Sequence, residues 1–253
     1  MAAVRGVKIR VADRGDARPG KAENVNPHAD LELVVFDILG TLVDEPGGLR
    51  RSIRELSPVE SGDHVDDLVD MWQSYVARQQ QKMLDGHRPY ASSDVVDREA
   101  AELVADKCGV TDTGAIGRLA TAARRLDPWP GTIGSLDQLA QKLPVVGLSN
   151  ASRATLTRLN AHAGLRWHYV LSAEDAQSYK PAPEVYRLAA DIVGDAPERV
   201  LMVAAHAWDL RGAQAVGLRT AYVERPVTDP PLATDSFDYH AASLAGLVAT
   251  MLG

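Results

Sequence analysis

The chain has 253 residues, 45% of them hydrophobic and 24% charged, which fits one full-sized soluble domain with a smaller insert and a core that needs no covalent staples. A formal net charge of −7 gives no broad positive field for phosphate backbones, and aromatic residues at 5% offer few stacking surfaces for bases, so composition argues against a nucleic-acid partner. A single cysteine excludes an internal disulfide framework, and there is neither a secretory apolar segment nor a run near the roughly 18 residues of a membrane helix; the expectation is a cytoplasmic protein that does not engage a membrane.

Residues 1–30 are rich in Arg, Asp, Pro, Gly and Asn and read as a flexible arm, with one alternating patch, VKIRV, compatible with an edge strand. From Leu31 the pattern changes: LELVVF is a short, mostly apolar run of the kind buried on both faces of a sheet. Strand signals then disappear as far as Pro128. Val65, Leu68, Val69, Trp72 and Val76 recur at helical spacing, as do Val96, Ala100, Leu103 and Val104, so residues 47–128 read as a helical cap inserted after the first strand. Cys108 continues this apolar pattern and is expected to be buried.

Apolar runs resume as PVVGLS (144–149), RVLMVAA (199–205) and LRTAYV (218–223). Between them, SRATLTRLNAHAG starts on Ser152, a plausible N-cap, and ends at Gly164, while APEVYRLAADIVG carries Pro183 in its first turn and ends at Gly194. Strands alternating with helices predict an α/β fold, a doubly wound parallel sheet of Rossmann-like type with residues 31–46 and 129–253 as its core. No internal repeat or low-complexity tract interrupts it.

Four polar clusters fall at the ends of these runs: Asp37 with Thr41, Ser149 with Asn150, Lys180 in SYKPAPEVY, and His206 with Asp209 in AAHAWDL. Strand ends on neighbouring strands converge in space, so the clusters predict a site there. Asp37 is the candidate nucleophile, since a carboxylate can attack carbon or phosphorus and form an ester that water later cleaves. Lys180 is its candidate charge partner. Asp209 precedes a helical pattern, so capping that helix competes with orienting Lys180 or a water. His206 is either a water-activating base or a hydrogen-bonded histidine at the cavity edge, and Trp208 reads as a pocket wall.

The segments FDILGTLVD, GLSNAS, YKPAPEVY and AAHAWDLRGAQAVGLRTAYV resemble the four ordered motifs of the haloacid dehalogenase superfamily, most closely its type II L-2-haloacid dehalogenase branch, from Leu31 to about Pro226. The resemblance implies Asp37 as nucleophile, Thr41 as the hydroxyl bonded to it, Lys180 as charge partner and Asp209 as the acid of the fourth motif. It further implies Ser149 and Asn150 as substrate-side groups and Tyr186 as a supporting hydroxyl grouped with them, with Asn150 in a halide cradle and Trp208 as the apolar wall beside it. In that branch an aspartate displaces halide from the α-carbon of a small 2-haloacid and water hydrolyses the ester, with no metal or cofactor.

The phosphatase branches place acids where this chain has Leu39 and Ala205, and both replacements remove oxygen groups that magnesium or an alcohol leaving group would use. Relative to the dehalogenase branch, counting back from Trp72 puts His64 at the place of a cap arginine, with Arg50, Arg51 or Arg54 as substitutes. In the fourth motif, Ala204 and His206 replace a serine and an asparagine. The leading expectation is a hydrolase of carbon–halide bonds acting on a small organic acid, with a homodimer left open. A magnesium-dependent phosphatase and a catalytically silent ligand-binding relative stay open beside it.

Overall fold

A computed structural model describes residues 8–9, 30–57, 62–194, 196–226 and 229–253. The expected arm, residues 1–30, lies outside the described residues except for Lys8–Ile9 and Asp30. Lys8–Ile9 form β1, which pairs antiparallel with β7, Tyr239–Ala241, at one edge of the sheet. The other strands are β2 (Leu33–Phe36), β3 (Val145–Ser149), β4 (Tyr169–Ser172), β5 (Val200–Ala204) and β6 (Arg219–Val223). The sheet order is β1-β7-β6-β5-β2-β3-β4, and every pair apart from β1 with β7 is parallel.

Alternation along the strands explains the layers. In β2, Val34 and Phe36 point to one face and pack with Leu136 and Leu139 of α5 (Thr132–Ala140), Leu156 and Leu159 of α6 (Arg153–Ala163) and Leu247 of α9 (Leu244–Leu252). Leu33 and Val35 point the other way, onto Val185 and Ala189 of α7 (Pro183–Ala190) and Leu210 and Ala213 of α8 (Ala207–Ala215). With helices on both faces, β2, β3 and β5 are buried throughout their length, which is why they read as continuous apolar runs. The doubly wound α/β arrangement expected from the sequence is therefore present.

Four helices, α1 (Glu45–Leu56), α2 (Gly62–Leu84), α3 (Ser93–Lys107) and α4 (Thr113–Ala120), lie between β2 and α5. They form a cluster of their own around Leu49, Ile53, Leu68, Trp72, Ala100 and Leu119. Asp44 caps α1 by accepting the Gly47 N–H at 2.9 Å. The chain enters and leaves this segment side by side: Val43 bridges Pro128, and the Asp44 N–H donates to the Asp127 carbonyl at 2.9 Å. Cys108, expected to be buried, is half-buried at the C-terminal end of α3 and packs against the same cluster.

Ser152 caps α6 as expected, accepting the Thr155 N–H at 3.1 Å, and Gly164 ends that helix at φ 71°. Four elements were not singled out in the sequence: β4, α5, β7 and α9. β4 and β7 are only 4 and 3 residues long, and Tyr169 at the start of β4 faces solvent.

Phe36 is fully buried, packs near Trp167 at a ring-centroid distance of 6.4 Å, and immediately precedes Asp37. Phe36→Ala is expected to cost about 3–5 kcal/mol, read as a lowered urea midpoint with an unchanged slope.

Candidate active site

β5, β2 and β3 are neighbours, so their C-terminal ends bring three of the four polar clusters together. Asp37 follows β2, and its backbone N–H donates to Val203 O at 3.0 Å, which fixes the carboxyl at the sheet end. The chain then turns through Gly40 at φ 75°, a conformation that suits glycine, and the Gly40 carbonyl accepts the Trp129 indole N–H at 2.9 Å. That turn returns Thr41 to Asp37. The Thr41 hydroxyl donates to Asp37 Oδ2 at 2.6 Å and accepts the Ala205 N–H at 2.9 Å, so β2 and β5 are locked through one hydroxyl.

Lys180 reaches the same point from the segment before α7, where its backbone N–H donates to Asn150 Oδ1 at 2.8 Å. Its ammonium donates to Asp37 Oδ1 at 3.0 Å and to Asp209 Oδ2 at 2.8 Å. Lys180 is 3% exposed and Asp209 0%, so these charges are held out of water. The Tyr186 hydroxyl donates to Asp209 Oδ1 at 2.7 Å, giving each carboxylate oxygen of Asp37 and Asp209 a partner. Burial opposes the Lys180 charge, but the attraction of Asp209 and Asp37 outweighs it and holds the ammonium above its ordinary 10.5.

The competing roles of Asp209 separate here. α8 begins at Ala207 with His206 at its N-cap, and the Asp209 side chain faces Lys180 and Tyr186 instead of capping the helix. Tyr186, expected on the substrate side, is fully buried behind Asp209 and does not line the cavity. A Cβ on Gly212 would collide with the Tyr186 ring and hydroxyl, so glycine there is what lets α8 approach.

The ammonium and Asp37 open onto a cavity of about 340 Å3, lined on the sheet side also by Leu39, Ser149, Asn150, His206 and Trp208. His206 Nε2 lies 3.2 Å from Leu39 O, and Asn150 Nδ2 donates to Gln80 Oε1 of α2 at 3.4 Å. The Ser149 hydroxyl accepts the Ala151 N–H at 3.2 Å. Trp208, read as a wall, lies beside His206 at a ring-centroid distance of 6.0 Å, and its backbone N–H donates to Asp229 Oδ2 at 2.8 Å.

The helical segment closes the other side with Leu49, Trp72, Gln73, Val76 and Gln80, together with Glu45 and Asp97. Neither His64 nor Arg50, Arg51 or Arg54 is in this lining, so the arginine substitution expected from counting does not occur. Arg50 pairs with Asp66, and Arg51 pairs with Asp127 at 3.0 Å. The residue after Trp72 that faces the cavity is Gln73. Among the described residues that line the cavity, none is an arginine.

Glu45, Asp97, Gln73 and Asp229 were not legible as site residues. Glu45 sits in a first helical turn, where an acid is ordinary, and Asp97 opens a run of three charged residues, Asp97, Arg98 and Glu99, that reads as a solvated face of α3. Burial holds the carboxyl of Glu45 above the usual carboxylate range, with His206 opposing and Asp37 adding to the effect. Burial likewise raises Asp97 well above that range, with Glu45 and Asp94 adding and Arg124 opposing.

Comparison with known proteins gives a consistent result. A model of the haloacid dehalogenase-like hydrolase family matches residues 31–217. The (S)-2-haloacid dehalogenase of Pseudomonas fluorescens is 27% identical over 201 residues, covering 78% of this chain and 86% of that protein. A solved defluorinating L-2-haloacid dehalogenase is 28% identical with a TM-score of 0.80, covering 88% of this chain and 96% of the other. The Xanthobacter autotrophicus L-2-haloacid dehalogenase, solved with chloropropionic acid covalently bound, is 26% identical with a TM-score of 0.75, over 88% and 99% of the two chains.

Removing one partner from a buried ion pair costs about 3–5 kcal/mol, so Lys180→Met is expected to lose that much stability near neutral pH by urea unfolding. The folded pKa of Lys180 lies above its unfolded 10.5; its contribution is therefore complete below pH 10.5 and lost as pH rises through the folded value. The wild type should show this alkaline loss, and Lys180→Met should lack it.

Proposed function

Because the chain belongs to the haloacid dehalogenase-like hydrolase family, we propose that it is a carbon–halide hydrolase of the (S)-2-haloacid dehalogenase kind, with Asp37 as its nucleophile. The observation that carries this reading is the pairing of Asp37 with Lys180 and Thr41 beneath the cavity, with Leu39 two residues on. A carboxylate oriented by an ammonium and a hydroxyl can attack carbon, and halide leaves without a proton. An alcohol leaving group needs a proton donor, and the Leu39 side chain supplies none.

In the proposed reaction an oxygen of Asp37 forms a bond to the α-carbon of a 2-haloacid while the carbon–halogen bond breaks, its electron pair leaving as halide. Water then attacks the Asp37 carboxyl carbon and the acyl C–O bond breaks. The 2-hydroxyacid takes one proton, a second goes to solvent, and Asp37 is regenerated with one oxygen from water. Thr41 and Lys180 hold the carboxylate against rotation, and Asp209 with Tyr186 holds Lys180. Lys180 has three donors, of which the two aspartates take two, and the third serves the substrate side. Ser149, Asn150 and Trp208 line the substrate's path.

His206 is the proposed base for the water. When Nε2 donates to Leu39 O, Nδ1 is the ring nitrogen left to accept a proton, and the ring lines the cavity. The helices between β2 and α5 are the proposed cap, excluding bulk water from the ester. A magnesium site does not fit the residues present. The places where phosphatase branches carry acids are Leu39 and Ala205, and among the described residues no group of three or more His, Cys, Asp or Glu is arranged to hold a metal ion.

Chloride release from (S)-2-chloropropionate is expected, undiminished by a chelator. Asp37→Asn should reduce it by roughly three orders of magnitude or more. Mass spectrometry of the Asp37 peptide after a single turnover in heavy-oxygen water should find label in that side chain. Halide release by Asp37→Asn at the wild-type rate would overturn the mechanism.

A further inference from the structure

The cavity contains more carboxylate than the proposed reaction uses. Glu45, the first residue of α1, and Asp97, in the second turn of α3, both line it, and neither side chain hydrogen-bonds or ion-pairs with a described residue. The groups facing them are accounted for. Glu45 faces His206 and Asp37, while Asp97 faces Glu45, Asp94 and Arg124. Arg124 is engaged by Asp94 at 3.2 Å, and Lys180 by Asp37 and Asp209. Among the described residues that line the cavity there is no arginine, Lys180 is taken by Asp37 and Asp209, and His206 faces Glu45 but not Asp97, so the pair is not neutralised as a whole.

Unpaired carboxylates in an enclosed cavity are costly, and the cost is relieved by a partner of opposite charge or by protonation. A plain 2-haloacid brings a further negative charge and would be repelled from this side. The volume points the same way: about 340 Å3 falls within the range of cavities that take drug-sized ligands, and a three-carbon haloacid would fill only a minor part of it.

We propose that the cavity selects 2-haloacids whose side chain ends in a protonated amine, with the ammonium seated between Glu45 and Asp97 and the reacting carbon facing Asp37. This rests on the haloacid reading above and names the substrate class within it. The haloacid carboxylate lies on the Ser149 and Asn150 side, away from the acidic pair. Burial raises the pKa of both carboxyls, and an ammonium ligand would draw them back down.

The test compares (S)-6-amino-2-bromohexanoate with its N-acetyl counterpart, which keeps length and carboxylate but lacks the positive charge. For bromide release by the full chain, kcat/KM should favour the amine by about tenfold or more. The double variant Glu45→Gln with Asp97→Asn should bring the ratio to about one. Equal rates for the two compounds in the wild type, or a ratio untouched by the double variant, would overturn the proposal.

If neither compound releases bromide, the haloacid reading falls, and thermal shift with 6-amino-2-hydroxyhexanoate against its N-acetyl form decides the acidic pair separately. A melting temperature raised by the amine alone upholds the pair's role; no difference between the two rejects it. The ligand-free protein gives one more readout. A raised Asp97 pKa penalises folding as pH rises above the unfolded value of 3.8, so Asp97→Asn should melt higher than wild type at about pH 8 and equally at about pH 3. A lower melting temperature for Asp97→Asn at about pH 8 would show that Asp97 already has a protein partner, and would sink the proposal.

Discussion

One ammonium held between two buried carboxylates organises the functional half of this molecule. Lys180 bridges Asp37 and Asp209, and the three groups come from the end of β2, the start of α8 and the segment before α7. None could be buried alone at tolerable cost. Together they leave a single net negative charge, and Thr41 and Tyr186 complete the hydrogen bonds of the two carboxylates. The arrangement requires three distant parts of the chain to meet within about a hydrogen-bond length, and the surrounding packing serves that requirement.

The parallel sheet is what makes the meeting possible. β5, β2 and β3 run in one direction, in registers that pair Phe36 with both Val203 and Gly147, so their C-terminal ends lie level. The apolar alternation of β2 anchors those strands to helices on both faces, leaving the site's polar residues at or just beyond the strand ends. The helical segment leaves and rejoins the core through adjacent strands of backbone at Val43 and Pro128, so it stands over those ends. Further ties hold it there: Tyr179 donates to Ala91 O at 2.8 Å, the Ser152 N–H donates to the Ser93 hydroxyl at 2.8 Å, and Asp94 accepts from the Thr155 hydroxyl at 2.8 Å.

The two sides of the cavity treat charge differently. On the sheet side every carboxylate oxygen of Asp37 and Asp209 is partnered, which fixes a reactive geometry. On the helical side Glu45 and Asp97 lack such partners, and burial pushes both carboxyls upward. Perturbed carboxyls cluster where ligands bind, and the proposed ammonium would relieve this pair from within the cavity that also holds Asp37.

Much of this was legible in the chain. Strand and helix periodicity, the caps at Ser152 and Gly164, and the order of the polar clusters are properties of local sequence, because they depend on residues a few positions apart. Short β7, half-exposed β4 and the terminal α9 escaped notice, since short or one-sided segments carry too few repeats to show a period. Counting along the chain pointed to His64 and nearby arginines for the cavity, but a helix places side chains by angle, and it is Gln73 that faces inward beside Trp72. Sequence by itself determined the α/β class, the inserted helices and the candidates Asp37, Thr41, Lys180 and Asp209. Only tertiary structure decided that Lys180 meets Asp37 across 143 positions, that Asp209 binds that lysine instead of capping α8, that Tyr186 stands behind the acid, and that Glu45 and Asp97 look into the cavity unpaired. Pairing and burial are set by contacts between distant segments, and no local pattern encodes which charges will find a partner.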